Sequence, residues 1–261
     1  MKHNKATYNS TNIVQHYSRK TYLQPPEKTI LNLLKPHLPE MKMLDAGVGG
    51  GRTTPFFASE VKEYIGFDYA KEMIMECKKR FSNSPDNVKF EVCDVRDMSI
   101  FEDNTFDFIL FSFNGLDVIS HEDRLKAFQE IKRVGKKGGY FCFSTHNLNN
   151  IHRLFEFKHQ FALHPKRTIK NFKRWYKLNY IYNNAINMAK LQDSTYTIFK
   201  DGALDFRLDI YYIKAEEQIK QLQEYFKDIR VFSYKSGQEV QEEHELKNID
   251  DPWLYYLCVI R

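Results

Sequence analysis

The sequence lacks most of the features that would place it outside the ordinary globular class. No apolar run approaches the roughly 20 residues that span a bilayer, and the mean hydropathy is -0.58. A transmembrane segment is thereby excluded. The opening stretch, MKHNKATYNSTNIV, has no apolar core of export-signal length, so a cytoplasmic protein is expected. Only four cysteines occur (Cys77, Cys93, Cys142 and Cys258), and none belongs to a CxxC pair. Their wide spacing in apolar or helical contexts predicts free buried thiols. There is no HExxH, and no metal is expected. Asp117, His121 and Asp123 come nearest to a ligand cluster, but a loop and a helix start suit caps and surface positions better. The formal net charge is only +5 over 261 residues, which does not by itself argue for nucleic acid.

What is present begins with MLDAGVGGGRTT, Met43 to Thr54, with glycine at 47, 49, 50 and 51. Met41–Leu44 reads as a short strand entering this turn, and Thr53–Glu60 as a helix leaving it, with Pro55 tolerated in the first turn. Bare backbone on a strand-to-helix turn lets a ligand approach the amides closely. A phosphate loop would need GxxxxGK[ST], and no GK[ST] occurs. A dinucleotide loop would need GxGxxG, and both possible readings put Arg52 or Thr54 in the last place. What remains is Asp45-x-Gly47-x-Gly49-x-Gly51. This spacing resembles the first motif of the class I S-adenosylmethionine (SAM) methyltransferases. A carboxylate beside the turn suits the ammonium and sulfonium of that cofactor.

Two further acids stand where the resemblance requires them. Asp68 closes the strand Tyr64–Asp68, where an acid in a doubly wound fold accepts from ribose hydroxyls. Tyr69–Arg80 follows with helical spacing and looks like the family's DxSxxMxxxA pattern, which places Met73 against adenine. Asp94 ends the strand Val88–Cys93. The resemblance gives it the adenine amino group and gives the amide of Val95 a ring nitrogen, with Asp97 as a rival acid. Tyr69 and Phe111 complete the expected cofactor set.

Phe106–Phe113 is a nearly continuous apolar strand, as a central parallel strand should be. The helix Asp123–Val134 and the strand Tyr140–Ser144 follow. EIKRVGKKGGYFCF is similar to the family's ExxRxLKPGGxxxF, with Gly135 and Lys137 replacing Leu and Pro. Ile210–Ile213 reads as a strand, Ala215–Phe226 as a helix, and Ile229–Tyr234 with Leu254–Ile260 as a final antiparallel pair. The expected fold is α/β, a Rossmann-like, seven-stranded, mostly parallel sheet flanked by helices, with a helical lid insertion after the fifth strand. Its expected parts are an N-terminal lid segment (1–27), a SAM-binding core (28–147), a basic aromatic insertion acting as acceptor lid (148–209), and a C-terminal completion of the sheet (210–261).

Between Ile151 and Tyr180 lie eight Lys or Arg and one acid, Glu156, interleaved with aromatic residues. A basic lid suggests an anionic acceptor, held by Arg167, Arg174, Trp175 and Tyr176. A solvated basic face over a local core is the plainer alternative. Basic and aromatic interleaving also suits RNA, but the low total charge argues against it. In the family the segment before the first strand folds over SAM, which makes Tyr17, Arg19 and Tyr22 candidates for the cofactor.

His146, in STHN at the end of the fifth strand, is the candidate general base, since imidazole titrates near neutrality. Asn114, in FSFNGLD, is placed to bond the acceptor. It lacks the prolines of the NPPY signature of amino-group methylation in nucleic acids. The expected function is methyl transfer to an oxygen of a small anionic acceptor, a nucleotide-linked sugar or phosphorylated precursor of surface polysaccharide being the leading form. N-methylation of a small molecule, a non-catalytic SAM-binding regulatory protein, an RNA methyltransferase and a NAD oxidoreductase remain as alternatives. The sequence leaves the oligomeric state open.

Overall fold

Strand and helix alternate through the first half of the chain, and parallel neighbours joined by helical crossovers result. The computed structural model describes residues 7–184, 186 and 188–261; the first six residues of the N-terminal segment and two positions of the insertion, 185 and 187, lie outside the described residues. In chain order the elements are α1 (Thr11–Ser18), α2 (Pro25–Leu34), β1 (Lys42–Ala46), α3 (Thr54–Phe57), β2 (Glu63–Asp68), α4 (Lys71–Arg80), β3 (Val88–Val92), β4 (Phe106–Phe111), α5 (His121–Val134) and β5 (Gly135–Asn147). Then come α6 (His152–Phe155), α7 (Pro165–Tyr176), α8 (Met188–Asp193), β6 (Tyr196–Phe199), β7 (Ile210–Ile213), α9 (Ala215–Gln223), β8 (Phe226–Ser233), β9 (Glu239–Val240), α10 (Glu243–Asn248) and β10 (Trp253–Ile260).

The sheet runs β3-β2-β1-β4-β5-β10-β8-β9. β3 to β5 are parallel, and β10 is antiparallel to both of its neighbours. The architecture is a mixed α/β, Rossmann-like sheet with flanking helices. The strand count differs from the seven expected: among the described residues there are ten. β9 extends one edge, and β6 pairs with β7 off the main path. β6 and β9 span four and two residues, too short for a period of two to show in sequence.

β7 has a particular place. β10 lines one edge of β5 up to His146. On the other edge β5 pairs with β4 as far as Phe143, and then with β7 at His146–Tyr212 and Asn147–Ile213. The β6–β7 hairpin therefore carries the sheet onward beyond the end of β4.

Residues of β4 explain its apolar run. Phe108 and Leu110 pack into the core on one face of the sheet, Ile109 and Phe111 into the core on the other. A third cluster lies under the insertion, where Val118 and Leu148 meet Phe199, Phe206 and Tyr212. All four cysteines are free and buried.

Element ends move where local chemistry decides. α2 begins at Pro25 because Gln24 and Glu27 form a capping box. α5 begins at His121 because the Ser120 hydroxyl accepts the Asp123 amide at 3.1 Å. α3 is a single turn and not a helix to Glu60. β1 extends to Ala46, so Asp45 lies within the strand. The strand order reverses between β1 and β4, and the crevice at such a point is where ligands bind. Among the described residues no helix is long and apolar enough to cross a membrane.

Candidate functional site

Two adjoining cavities open at the carboxyl ends of β1, β2 and β4. The larger holds about 390 Å³, between Phe67, Val95, Phe111 and Ile119, within the roughly 300–1,000 Å³ range of small-ligand sites. The smaller holds about 100 Å³ and includes Asp45, Gly49, Asp68 and Met73. Gly47, Tyr69, Phe111, Gly115 and Val118 line both, so the two form one curved trough.

The glycine turn forms its floor. Gly49 has φ +55°, and a Cβ there would meet no atom closer than 3.9 Å, because it would project into open space. Gly50, which was not among the expected site residues, serves a different purpose. A Cβ on it would fall 2.5 Å from the Ser18 amide nitrogen, so the end of α1 packs directly on the loop. Gly51 is set against Phe81 and lines neither cavity.

Each acid has a distinct setting. Asp45 is buried and accepts from Thr53 Oγ1 at 2.5 Å and from the Tyr64 hydroxyl at 2.6 Å. Burial pushes its carboxyl up to about 6 despite those bonds. Asp68 accepts from the amides of Gly49 (3.0 Å) and Ala70 (2.8 Å), one on each oxygen. Burial, reinforced by the charge of Asp94, also pushes it up to about 6. Each Asp68 oxygen keeps a lone pair.

Asp94 lines the larger cavity, whereas Asp97 does not. Arg96 grips both Asp94 oxygens, at 2.9 and 2.6 Å, and reaches on to Asp123. The Tyr69 hydroxyl is buried with no hydrogen-bond partner among the described residues. An apolar slot with an orphaned hydroxyl, paired acids and bare loop backbone fits the cofactor implied by the resemblance.

The N-terminal segment is brought over this trough by contacts of Val14 and Tyr17 with Ala70 and Met73. Tyr17 lines the smaller cavity. Arg19 is exposed and lines neither, and Tyr22 offers its carbonyl to Arg52 at 2.7 Å. Arg52 lines the smaller cavity; Lys20 lines neither but stands against two of the rings that line the smaller one, its Nζ 4.6 Å from the Tyr17 ring centre and 4.7 Å from that of Phe113. It has no ion-pair partner among the described residues. Burial and the neighbouring Arg52 hold its pKa below the usual lysine value. Arg52 itself is buried, forming a two-pronged ion pair with Glu27 and a 2.9 Å bond to Ser112. No local spacing announces these settings, since Glu27 lies 25 residues from Arg52 and Phe113 is far along the chain from Lys20.

Around His146 the structure corrects a sequence expectation. Asp117 was expected as a cap or surface residue, but it is fully buried. One of its oxygens accepts Arg124 Nη1 at 2.7 Å and Thr145 Oγ1 at 2.6 Å. The other accepts both the His146 amide at 2.8 Å and, at 2.7 Å, the proton of His146 Nδ1. The carboxylate thereby fixes the tautomer and leaves Nε2 with its lone pair. Asn114 Nδ2 approaches Nε2 at 3.4 Å, while Asn114 Oδ1 is buried and unpaired among the described residues. Trp253 Nε1 is likewise unpaired, and its ring lies 5.8 Å from the imidazole. Phe113 and Asn114 both adopt left-handed backbone, φ +58° and +59°, which is strained for side-chain-bearing residues and tends to mark functional sites. His121 stacks on Tyr196, and Asp123 pairs with Arg96.

The insertion residues expected at the acceptor are not brought to the trough. Arg167, Arg174, Trp175 and Tyr176 line neither cavity. Arg174 donates to the Asp201 carbonyl at 2.8 Å, and Trp175 Nε1 to the Phe155 carbonyl at 2.7 Å. Arg167 and Tyr176 are exposed.

Comparison with known proteins bears on this site. The methyltransferase-domain family matches residues 37–203. The uncharacterized methyltransferase YcgJ of Bacillus subtilis is 33% identical over 111 residues, 41% of this chain and 41% of its own. The demethylmenaquinone methyltransferase of Staphylococcus aureus is 34% identical over 130 residues, 48% of this chain and 50% of its own. The chain thus spans about half the length of the curated relatives it matches. An S-adenosylmethionine-dependent methyltransferase structure from Mesorhizobium loti shares the fold, with a TM-score of 0.58, 15% identity, and coverage of 90% of this chain and 97% of that one.

Proposed function

Because the chain belongs to the methyltransferase-domain family, with S-adenosylmethionine as cofactor, we propose that it methylates an oxygen of a small anionic acceptor, with His146 as general base. The observation that carries this reading is the Asp117–His146 pair, which lines neither cavity and reaches the edge of the trough through Asn114, the chain neighbour of the lining residues Phe113 and Gly115. An aromatic or otherwise unprotonated amine would bring its lone pair with it and need no such base, whereas an alkylammonium, like a hydroxyl, must first give up a proton. A hydroxyl must lose a proton, and an imidazole with a fixed tautomer takes it.

When bound, S-adenosylmethionine supplies a methyl carbon on a sulfonium leaving group. Asp68 accepts from the ribose hydroxyls with its remaining lone pairs. Asp94 and the Val95 amide would hold the adenine, with Phe111 and Tyr69 lining the same cavity. Gly47, Gly49, Met73, Tyr17 and Asp45 line the smaller cavity and would hold the rest.

His146 Nε2 receives the acceptor's proton, and the 3.4 Å Asn114 contact is weak enough to be displaced. Asp117 stabilises the imidazolium that forms. Oδ1 of Asn114 and Nε1 of Trp253 offer the acceptor one bond of each polarity. Lys20 supplies the charge for its anionic group. A nucleotide-linked sugar or phosphorylated precursor of surface polysaccharide meets these requirements, because it combines a hydroxyl pair with an anion.

The test is turnover of isotopically labelled cofactor against a panel of such acceptors, with the methylated atom located by NMR. Methylation on nitrogen, or turnover that persists when His146 is replaced, would overturn the reading. Cofactor binding without turnover of any acceptor would favour a regulatory role.

A further inference from the structure

We infer that the insertion docks on an anionic membrane surface through α7 and the turn that precedes it. The observations come from a part of the chain that the trough does not use. No residue of α7 is buried. Lys166, Arg167, Lys170, Lys173 and Arg174 are exposed along it, and Ile151 to Tyr180 holds eight basic residues against one acid.

Large apolar side chains stand among these charges. Leu163 is fully exposed, Phe161 is 64% exposed and Ile169 56%. They are not loose ends of a collapsed core. Phe157 packs on Phe172 at 4.7 Å and on Trp175 at 5.2 Å, and Phe161 packs on Phe172 at 5.3 Å. The ring cluster is held in place from within while its outer side stays open.

The chemistry of the face selects its occupant. A second copy of this chain would oppose one strongly basic face with another. Nucleic acid would satisfy the cations but leave Leu163 and Ile169 in water. An anionic bilayer satisfies both sets, with lipid headgroups against the Lys and Arg and the interfacial layer around Phe161, Leu163 and Ile169. At 12 residues α7 is too short to cross a bilayer, so it lies along the surface.

The experiment is co-sedimentation of the full chain with vesicles made of equal parts phosphatidylcholine and phosphatidylglycerol, at low salt. Binding is expected to these vesicles and not to pure phosphatidylcholine. Replacing Lys166, Lys170 and Lys173 together by Ala should weaken it about a hundredfold, at roughly fivefold per basic residue. Leu163→Ser with Phe161→Ser should weaken it at least tenfold while leaving the salt dependence in place. Unchanged cofactor affinity in both variants confirms that they fold. Equal binding to neutral vesicles, no binding to anionic ones, or tighter binding to single-stranded RNA than to anionic vesicles overturns the inference.

Discussion

Asp117 grips His146 twice with a single oxygen, taking the backbone amide at 2.8 Å and Nδ1 at 2.7 Å. Ring orientation and tautomer are therefore set by one buried carboxylate. Arg124, fully buried on the opposite side, balances its charge.

His146→Ala should lower kcat by about 10²–10⁴ and leave the cofactor Kd within a few-fold. Asp117→Asn should approach the same kcat and alter the pH profile, because the imidazole is no longer held in one tautomer. Asp117→Ala is also expected to destabilise the fold by about 3–5 kcal/mol, since it strands Arg124 in the core. Denaturation together with steady-state rates separates the two effects. A kcat near wild type in His146→Ala would show that the acceptor is deprotonated elsewhere.

Cofactor affinity should depend on pH through Asp68. Its folded pKa of about 6 lies above the ordinary 3.8. The fold thus favours the protonated acid, and the stabilisation that protonation brings is lost as pH rises through about 6. Ribose hydroxyls need the carboxylate as acceptor, so the sign for binding is opposite. Affinity should be level above about pH 7 and fall below about pH 6, most steeply toward pH 4, which calorimetry across that range would measure. Asp68→Ala should cost about 1–3 kcal/mol of binding at neutral pH. Unchanged affinity in this variant would remove Asp68 from the site.

Gly49→Val should abolish cofactor binding. The side chain would occupy open trough and force a β-branched residue to φ +55°. Gly49→Ala separates the two causes: the left-handed backbone costs about 1–2 kcal/mol of stability, while loss of binding beyond that measures occlusion. Tight binding retained by the valine variant would refute close approach of ligand to this amide.

Lys20→Met should raise the acceptor KM at least tenfold and flatten its rise with salt, with little change in cofactor Kd. If the cofactor Kd moves instead, Lys20 serves the cofactor's own carboxylate and the anionic-acceptor proposal loses its main support. Arg19→Ala, one residue away and exposed, is the matched control.

The glycine turn, the acids at or near the ends of successive strands and the alternation of strand and helix were legible because each depends on local sequence: a pattern of period two, a turn residue, a strand end. Asp117 was misjudged for a related reason. In FNGLDVISHED it stands among loop residues and reads as solvated, and only the fold brings Arg124 from α5 and Thr145 from β5 to bury it. The Glu27–Arg52 pair stayed hidden in the same way, since 25 residues separate the partners. Basic and aromatic density marked the insertion out in the sequence. It could not tell which way the side chains point, and the charges line neither cavity.

The pairing of His146 with Tyr212 across β5 and β7 has a consequence for engineering. The chain leaves β5 after residue 147 and is back beside it at residues 212 and 213, one strand spacing away, having added β6 to the sheet on the way. Whatever is built between those points is closed by the sheet itself, and lengthening a closed loop costs only about 0.6 kcal/mol per doubling. The segment therefore behaves as an exchangeable cassette. Grafting the corresponding stretch of another chain between these two ends should change what the protein docks on while leaving the trough intact, provided the graft restores the apolar contacts that Val118 and Tyr212 make beneath it.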